Sequence, residues 1–290
     1  MGYKVDNAII LAAGTASRFA PLSYEKPKAL FEVKGEVLIE RQIRQLLEAG
    51  IEEIIVVVGY KKEQFEYLKE RFGVKLVENK AYLTRNNNSS IYVVKDYLRN
   101  SYICSSDNYF TKNPFGVEVD ESYYAAVYAE GETAEWCMEE DEEGYIKGVT
   151  IGGRHSWYML GHTFWSEEFS KKFVTILEKE YDLPETAPLL WERIFMNHLS
   201  ELKMKIRKYP DDIIYEFDTL DELRTFDATY IYDTRSEILK SIVSELGCKE
   251  RDIVAVVLKR SENNMAVGFR FRVKEECFEF DYMSKELKRG

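Results

Sequence analysis

Apolar and polar residues follow two different periods along the first hundred positions, and the switches between them lay out the elements. The run Ala8-Ile9-Ile10-Leu11 is apolar throughout, which predicts a strand covered on both faces. Residues 30–33 predict a short extended piece, and Lys34-Gly35-Glu36 a turn. Leu38, Ile39, Gln42, Ile43, Leu46 and Leu47 recur at helical spacing, with Gly50 where a C-terminal cap belongs. Residues 54–58 predict a second buried strand, 62–72 a helix stopped by Gly73, and 74–77 a third strand. Asn86 to Ser90 offers cap side chains for a helix over 91–98, and a fourth strand, 102–105, ends at Asp107. Strand, helix, strand, helix predicts parallel strands joined by right-handed crossovers: an α/β protein with a doubly wound, mostly parallel mixed sheet. Ligands of such sheets sit beyond the carboxyl ends of the strands, where the segment after Leu11 and Asp107 both fall.

Past Pro114 the alternation becomes that of strands. Residues 122–129, 136–138, 145–151 and 157–165 predict four of them, with the acidic stretch 139–144 as a hairpin tip. Helices are expected over 167–181 and 188–199, and short strands over 205–208 and 214–217. Thr219 caps a last helix through Phe226, whose Asp221 and Glu222 suit its N-terminus. This half completes the sheet, so residues 1–227 form one domain. Residues 228–290 predict a small appended α+β module: a helix over 236–246 closed by Gly247, a strand over 253–258, an Asn263-Asn264 turn, and strands over 266–273 and 277–282. The module carries no chemical constellation, so its expected role is structural or self-association, a homodimer in the latter case.

Composition narrows the partners. The chain has 290 residues and a net charge of −11, which argues against a nucleic acid or an anionic membrane surface as partner. Any phosphate must therefore be held by local cations. There is no signal peptide at the N-terminus and no apolar run of membrane-spanning length, so a cytoplasmic protein without membrane insertion is expected. Cys104, Cys137, Cys248 and Cys277 are scattered, as suits reduced thiols, and His155, His162 and His198 form no ligand motif.

The candidate chemistry begins where the first strand breaks into Ala12-Ala13-Gly14-Thr15-Ala16-Ser17-Arg18. Small residues let the main chain close on an anion and turn its N–H groups toward it. Arg18 adds one cation and Pro27-Lys28 a second after a stiff turn, so the segment suits a triphosphate. It resembles the signature of nucleotidyltransferases that build NDP-activated small molecules, the nucleoside-diphosphate-sugar pyrophosphorylase superfamily. Further motifs resemble the phosphocholine cytidylyltransferases of the bacterial choline-incorporation type: Asp107-Asn108, Thr133 with Glu135-Trp136, Trp191-Glu192 where the family has tryptophan followed by aspartate, and Ile214-Tyr215-Glu216 followed by Asp218. Together they span residues 6–227. The chain departs from the pattern L-x-x-G-x-G-x-R at Ala16, where a Cβ opposes positive φ.

The resemblance implies a nucleotide-diphospho-sugar transferase-like fold and a reaction of CTP with phosphocholine that gives CDP-choline and pyrophosphate with Mg²⁺. It implies that Arg18 takes the departing phosphates, Lys28 the transferred phosphoryl group, and Asp107 with Asp218 the metal. The nucleotide is expected against Leu11, Ala12, Ala13, Gly14 and Thr15, with Gly59, Tyr60, Asn86, Asn87 and Ser90 on the base side. The acceptor, whose trimethylammonium group needs aromatic faces and a carboxylate, is expected among Glu135, Trp136, Tyr158, Trp191, Glu192 and Tyr215. Each motif has a structural alternative. Asp107 could only shape a turn, Asp218 only cap a helix, the asparagines only start one, and the aromatics only fill a core. Two other functions stay open: a sugar-1-phosphate or inositol-phosphate nucleotidyltransferase, and a nucleotide-binding regulatory subunit without turnover.

Overall fold

A computed structural model describes residues 2–261 and 266–290. The chain forms two compact units, Met1–Gly14 with Leu38–Glu216, and Thr15–Val37 with Phe217–Gly290.

The first unit is built on a seven-stranded sheet. Its strands are β1 (Asn7–Ala12), β2 (Ile54–Val58), β3 (Lys75–Glu78), β4 (Ser101–Ser105), β5 (Tyr123–Glu140), β6 (Ile146–Trp165) and β7 (Lys205–Lys208), and they lie in the order β7-β5-β6-β4-β1-β2-β3. The pairs β1–β2, β1–β4, β2–β3 and β5–β7 are parallel, whereas β6 runs antiparallel to β5 and β4. This is the doubly wound mixed sheet that the sequence predicts. Ile54–Val58 is buried along its whole length, as a strand covered on both faces must be. Helix α1 (Leu38–Glu48) buries Leu38, Ile39, Ile43 and Leu46 at the predicted spacing, with Gln42 among them. Its end is closed by Gly50 in the left-handed region at φ 83°.

The four strands expected over 122–165 are two long ones. The residues that read as breaks, Glu130-Gly131 and Gly152-Gly153, are taken up as register shifts inside β5–β6 rather than as turns. Helix α2 (Asn88–Val93) starts earlier than expected and ends in the 3₁₀ turn Lys95–Tyr97. Helix α3 (Glu167–Glu180) is capped by Ser166, whose hydroxyl accepts the Phe169 N–H, while α4 (Trp191–Asn197) is shorter than predicted at both ends. Among the described residues no helix is long and apolar enough to cross a membrane.

The second unit combines the loop segment with the C-terminal part of the chain. Helices α5 (Leu220–Phe226) and α6 (Glu237–Leu246) accompany an antiparallel sheet of β8 (Ile253–Arg260), β9 (Ala266–Val273), β10 (Glu276–Asp281) and β11 (Leu287–Arg289), the last not predicted. The expected Asn263-Asn264 turn lies outside the described residues. Phe269 and Phe271 are buried in this unit with Leu239 and Ile242 of α6. The loop segment is fastened to it by hydrogen bonds from the Lys34 N–H to Asp227 (2.8 Å) and from the Tyr230 hydroxyl to the Glu32 carbonyl (2.9 Å). Tyr24 stacks on Tyr282 with ring centroids 3.7 Å apart.

Candidate active site

In the second unit the loop after Thr15 turns through Ala16, whose φ of 45° and ψ of 44° place it in the left-handed region. The strain anticipated from its Cβ is thus present, on the order of 1–2 kcal/mol for a non-glycine residue. It leads into the 3₁₀ turn Ser17–Phe19, and a second 3₁₀ turn, Lys28–Leu30, follows Pro27. The two cations meet one carboxylate: Arg18 Nη1 lies 2.7 Å from Asp218 Oδ2, and Lys28 Nζ lies 3.9 Å from Asp218 Oδ1. Lys28 is 6% exposed and stands over the Phe19 ring, whereas the Arg18 side chain is 71% exposed. An ion pair so exposed contributes at most about 1 kcal/mol, so an arriving phosphate can take Arg18 over. Asp218 does not cap α5. Thr219 does, accepting the Glu222 N–H, and the Glu222 carboxylate accepts the Asp218 N–H at 2.7 Å. The carboxylate of Asp218 is therefore not spent on the helix.

In the first unit the ends of β1, β2 and β4 carry the other residues. The Ala13 carbonyl accepts the Tyr60 N–H at 3.1 Å. A Cβ on Gly59 would fall 2.9 Å from the Tyr82 ring and 3.0 Å from the Ala13 oxygen, so only glycine fits there without a shift. The Ser106 N–H reaches the Leu11 carbonyl at 3.3 Å and brings the turn after β4 beside the end of β1. Asp107 sits in that two-residue turn, between β4 and Asn108–Phe110, which pairs with Ile214–Glu216. Gln42 of α1, buried, donates to the carbonyls of Ser105 (2.7 Å) and Asn108 (3.1 Å) and so fixes the turn from below. The helical pattern contained the signal for Gln42, an amide at a core position. Among the described residues no three or more His, Cys, Asp or Glu side chains cluster for a metal.

The acceptor candidates divide into open and closed ones. Three consecutive residues of α4 point three ways, as the helical rotation between neighbours requires. Trp191 goes into the core, 2% exposed, stacked on Tyr124 at 5.8 Å and edge-on to Trp165 at 5.0 Å. It is therefore a core residue and not an open cage wall, because the apolar surface of Trp165 and Phe173 claims its ring. Glu192 accepts from the Asn87 amide (3.1 Å) and the Tyr124 hydroxyl (3.4 Å). Burial pushes its carboxyl up to about 7, against the opposing pull of its own backbone N–H, Asn87 and Tyr124. Arg193 lays its guanidinium over the Trp136 ring at 4.9 Å. Tyr158 and Tyr215 are half-buried and Glu135 is exposed. The Tyr158 hydroxyl is raised by burial first, then by the charges of Glu135, Glu216 and Asp211.

Asn86 is exposed, Asn87 half-buried and Ser90 buried, and each side chain has a hydrogen-bond partner. Asn86 donates to the Pro188 carbonyl at 3.0 Å, and Ser90 is buried, accepting from Asn79 at 3.0 Å. The Asn87 oxygen accepts the Trp191 N–H at 2.7 Å while its nitrogen serves Glu192, so this amide positions the carboxylate and does not cap α2. Gln42, Tyr82, Tyr124 and Arg193 are the residues that sequence patterns did not single out as part of the site. All but Gln42 are ordinary surface or strand letters whose partners lie far along the chain.

A family model, the MobA-like NTP transferase domain, matches residues 8–109. This match and the fold mark a nucleotidyltransferase. Choline-phosphate cytidylyltransferase of Streptococcus pneumoniae is 38% identical over 217 residues, 75% of this chain and 95% of that protein. The 2-aminoethylphosphonate cytidylyltransferase of Lancefieldella rimae is 38% identical over 234 residues, 79% of this chain and 95% of that protein. A solved structure of CTP:phosphocholine cytidylyltransferase (LicC) from S. pneumoniae matches with a TM-score of 0.75 at 37% identity, covering 78% of this chain and 99% of that one. The chain belongs to the family of choline-phosphate cytidylyltransferases.

Proposed function

We propose that the chain transfers the cytidylyl group of CTP to phosphocholine. A phosphate oxygen of phosphocholine attacks the α-phosphorus in line, the bond from that phosphorus to the β-bridging oxygen breaks, and pyrophosphate leaves. A phosphate monoester is already a nucleophile at neutral pH, so no general base is required. The observation that carries the reading is the meeting of Arg18 and Lys28 at Asp218 in the loop segment. Two fixed cations there can take charge from the leaving and transferred phosphates. Main-chain groups of Leu11, Ala12, Ala13 and Gly14, with Tyr60, are the base and phosphate contacts this reading requires.

Asp107 in the first unit and Asp218 in the second are each candidate ligands for Mg²⁺. Their chemistry suits it, since both are hard oxygen donors and the Asp218 carboxylate is not consumed by the helix cap. When bound, the ion would neutralise charge on the phosphate oxygens. On the acceptor side Glu192, held by Asn87 and Tyr124, would face the ammonium group, with Trp136, Tyr158 and Tyr215 as aromatic neighbours. The cysteine pattern supports a cytoplasmic, reducing setting.

A second acceptor, 2-aminoethylphosphonate, is favoured by one observation: Trp191 lies inside the core, which withdraws one expected aromatic face, while Glu192 and Glu135 suit an ammonium that can donate hydrogen bonds. The experiment that tests both is pyrophosphate release from CTP, UTP and GTP with phosphocholine, 2-aminoethylphosphonate and glucose 1-phosphate. Fastest release from CTP with phosphocholine supports the first reading. Faster release with the phosphonate replaces the acceptor, and a preference for sugar phosphate overturns the reading altogether.

A further inference from the structure

The C-terminal part of the second unit reaches the loop segment directly. Arg260, the last residue of β8, donates from Nη2 to the Ser17 hydroxyl at 2.5 Å, across 243 positions of sequence. Ser17 neighbours Arg18 in the same 3₁₀ turn, so the Arg260 guanidinium is bonded to the residue next to Arg18. Two more ties hold this arrangement: Tyr282 stacks on Tyr24 with planes 9° apart, and Glu25 accepts the Ile238 N–H at 3.1 Å. The relatives are matched over 95% of their own length by 75–79% of this chain, so they supply no counterpart for a fifth or more of it. In a molecule of net charge −11, basic side chains gathered at one loop stand out against the field around them.

We propose that Arg260 is a third cation for the departing phosphates, supplied to the nucleotide loop by the C-terminal segment. This rests on the reading of residues 15–28 as a triphosphate site. Guanidinium groups match phosphate oxygens with paired N–H donors, and a hydroxyl such as Ser17 is a weaker partner that a phosphate oxygen displaces. The role is binding of the β- and γ-phosphates, which CMP lacks.

Calorimetric titration of the full chain with CTP, inorganic pyrophosphate and CMP separates this role from mere support of the loop. Arg260→Ala is expected to weaken CTP and pyrophosphate about tenfold and leave CMP unchanged, with Arg260→Lys recovering part of the loss. Equal weakening of CMP and CTP would show that Arg260 only shapes the loop, and no change in any ligand would remove it from the site. Either result overturns the proposal. Should Arg260→Ala fail to fold, Arg260→Lys and Arg260→Gln supply the same comparison. If the wild type prefers another triphosphate to CTP, the cytidylyl reading fails while pyrophosphate against the matching monophosphate still tests Arg260.

Discussion

Burial lifts the Glu192 carboxyl to about 7, so below that pH it holds a proton that an ordinary glutamate has lost. Between its usual value and 7 the folded chain binds a proton that the unfolded chain releases. Its contribution to stability is therefore full at low pH and is lost as pH rises through 7. For a cationic acceptor the sign is opposite: only the carboxylate attracts it, so the KM for phosphocholine should fall as pH rises from 6 to 8. Glu192→Gln should flatten that component and raise KM, and an unchanged pH profile in the variant would sink the assignment. Ala16 offers a second test. Ala16→Gly removes the left-handed penalty but adds unfolded-state freedom, for a net gain of about 0.5–1 kcal/mol in urea denaturation. At this scale the strain at Ala16 was legible because glycine is missing from the pattern, and the ion pairs of Arg18 and Lys28 with Asp218 join residues that the motifs had already named. The burial of Trp191 was not, since a tryptophan letter carries no direction, and α4 rotates it away from Glu192.

Among the elements, the helix α1 and the turn after β4 act together. Gln42 fills a core position of the helix but spends its amide on two carbonyls that flank Asp107. Gln42→Ala should leave those carbonyls without the amide and cost about 1–3 kcal/mol by denaturant titration. Turnover should fall with it, while the KM for phosphocholine stays near that of the wild type; an unaltered kcat would show that the turn holds its shape without the amide. The periods of two and 3.6 gave away the parallel core and the amphipathic face of α1. They missed the length of β5 and β6 because glycines and charges that end strands elsewhere are absorbed as bulges when a partner strand continues opposite them. Leu287–Arg289 escaped for a simpler reason: a three-residue strand has too few alternations to count.

For the whole molecule, the chain enters its second unit twice, at Thr15–Val37 and at Phe217–Gly290. Linear patterns cannot reveal such an association, because nothing local in residues 15–37 names Tyr230 or Tyr282 as neighbours. A chain ended after Asp227 loses the Tyr230 bond to Glu32, the Tyr282 stack on Tyr24 and the Ile238 bond to Glu25. Such a chain should melt at lower temperature and show a raised KM for CTP, with less change in the KM for phosphocholine. Equal melting temperatures in calorimetry would mean that residues 15–37 settle unaided.

The stacking of Tyr24 on Tyr282 also sets an order of events during synthesis. A growing polypeptide displays Tyr24 long before the ribosome has added the ring that covers it. The amino-terminal loop must wait, half-dressed, until Tyr282 has emerged, so its folding trails its own synthesis by more than two hundred positions.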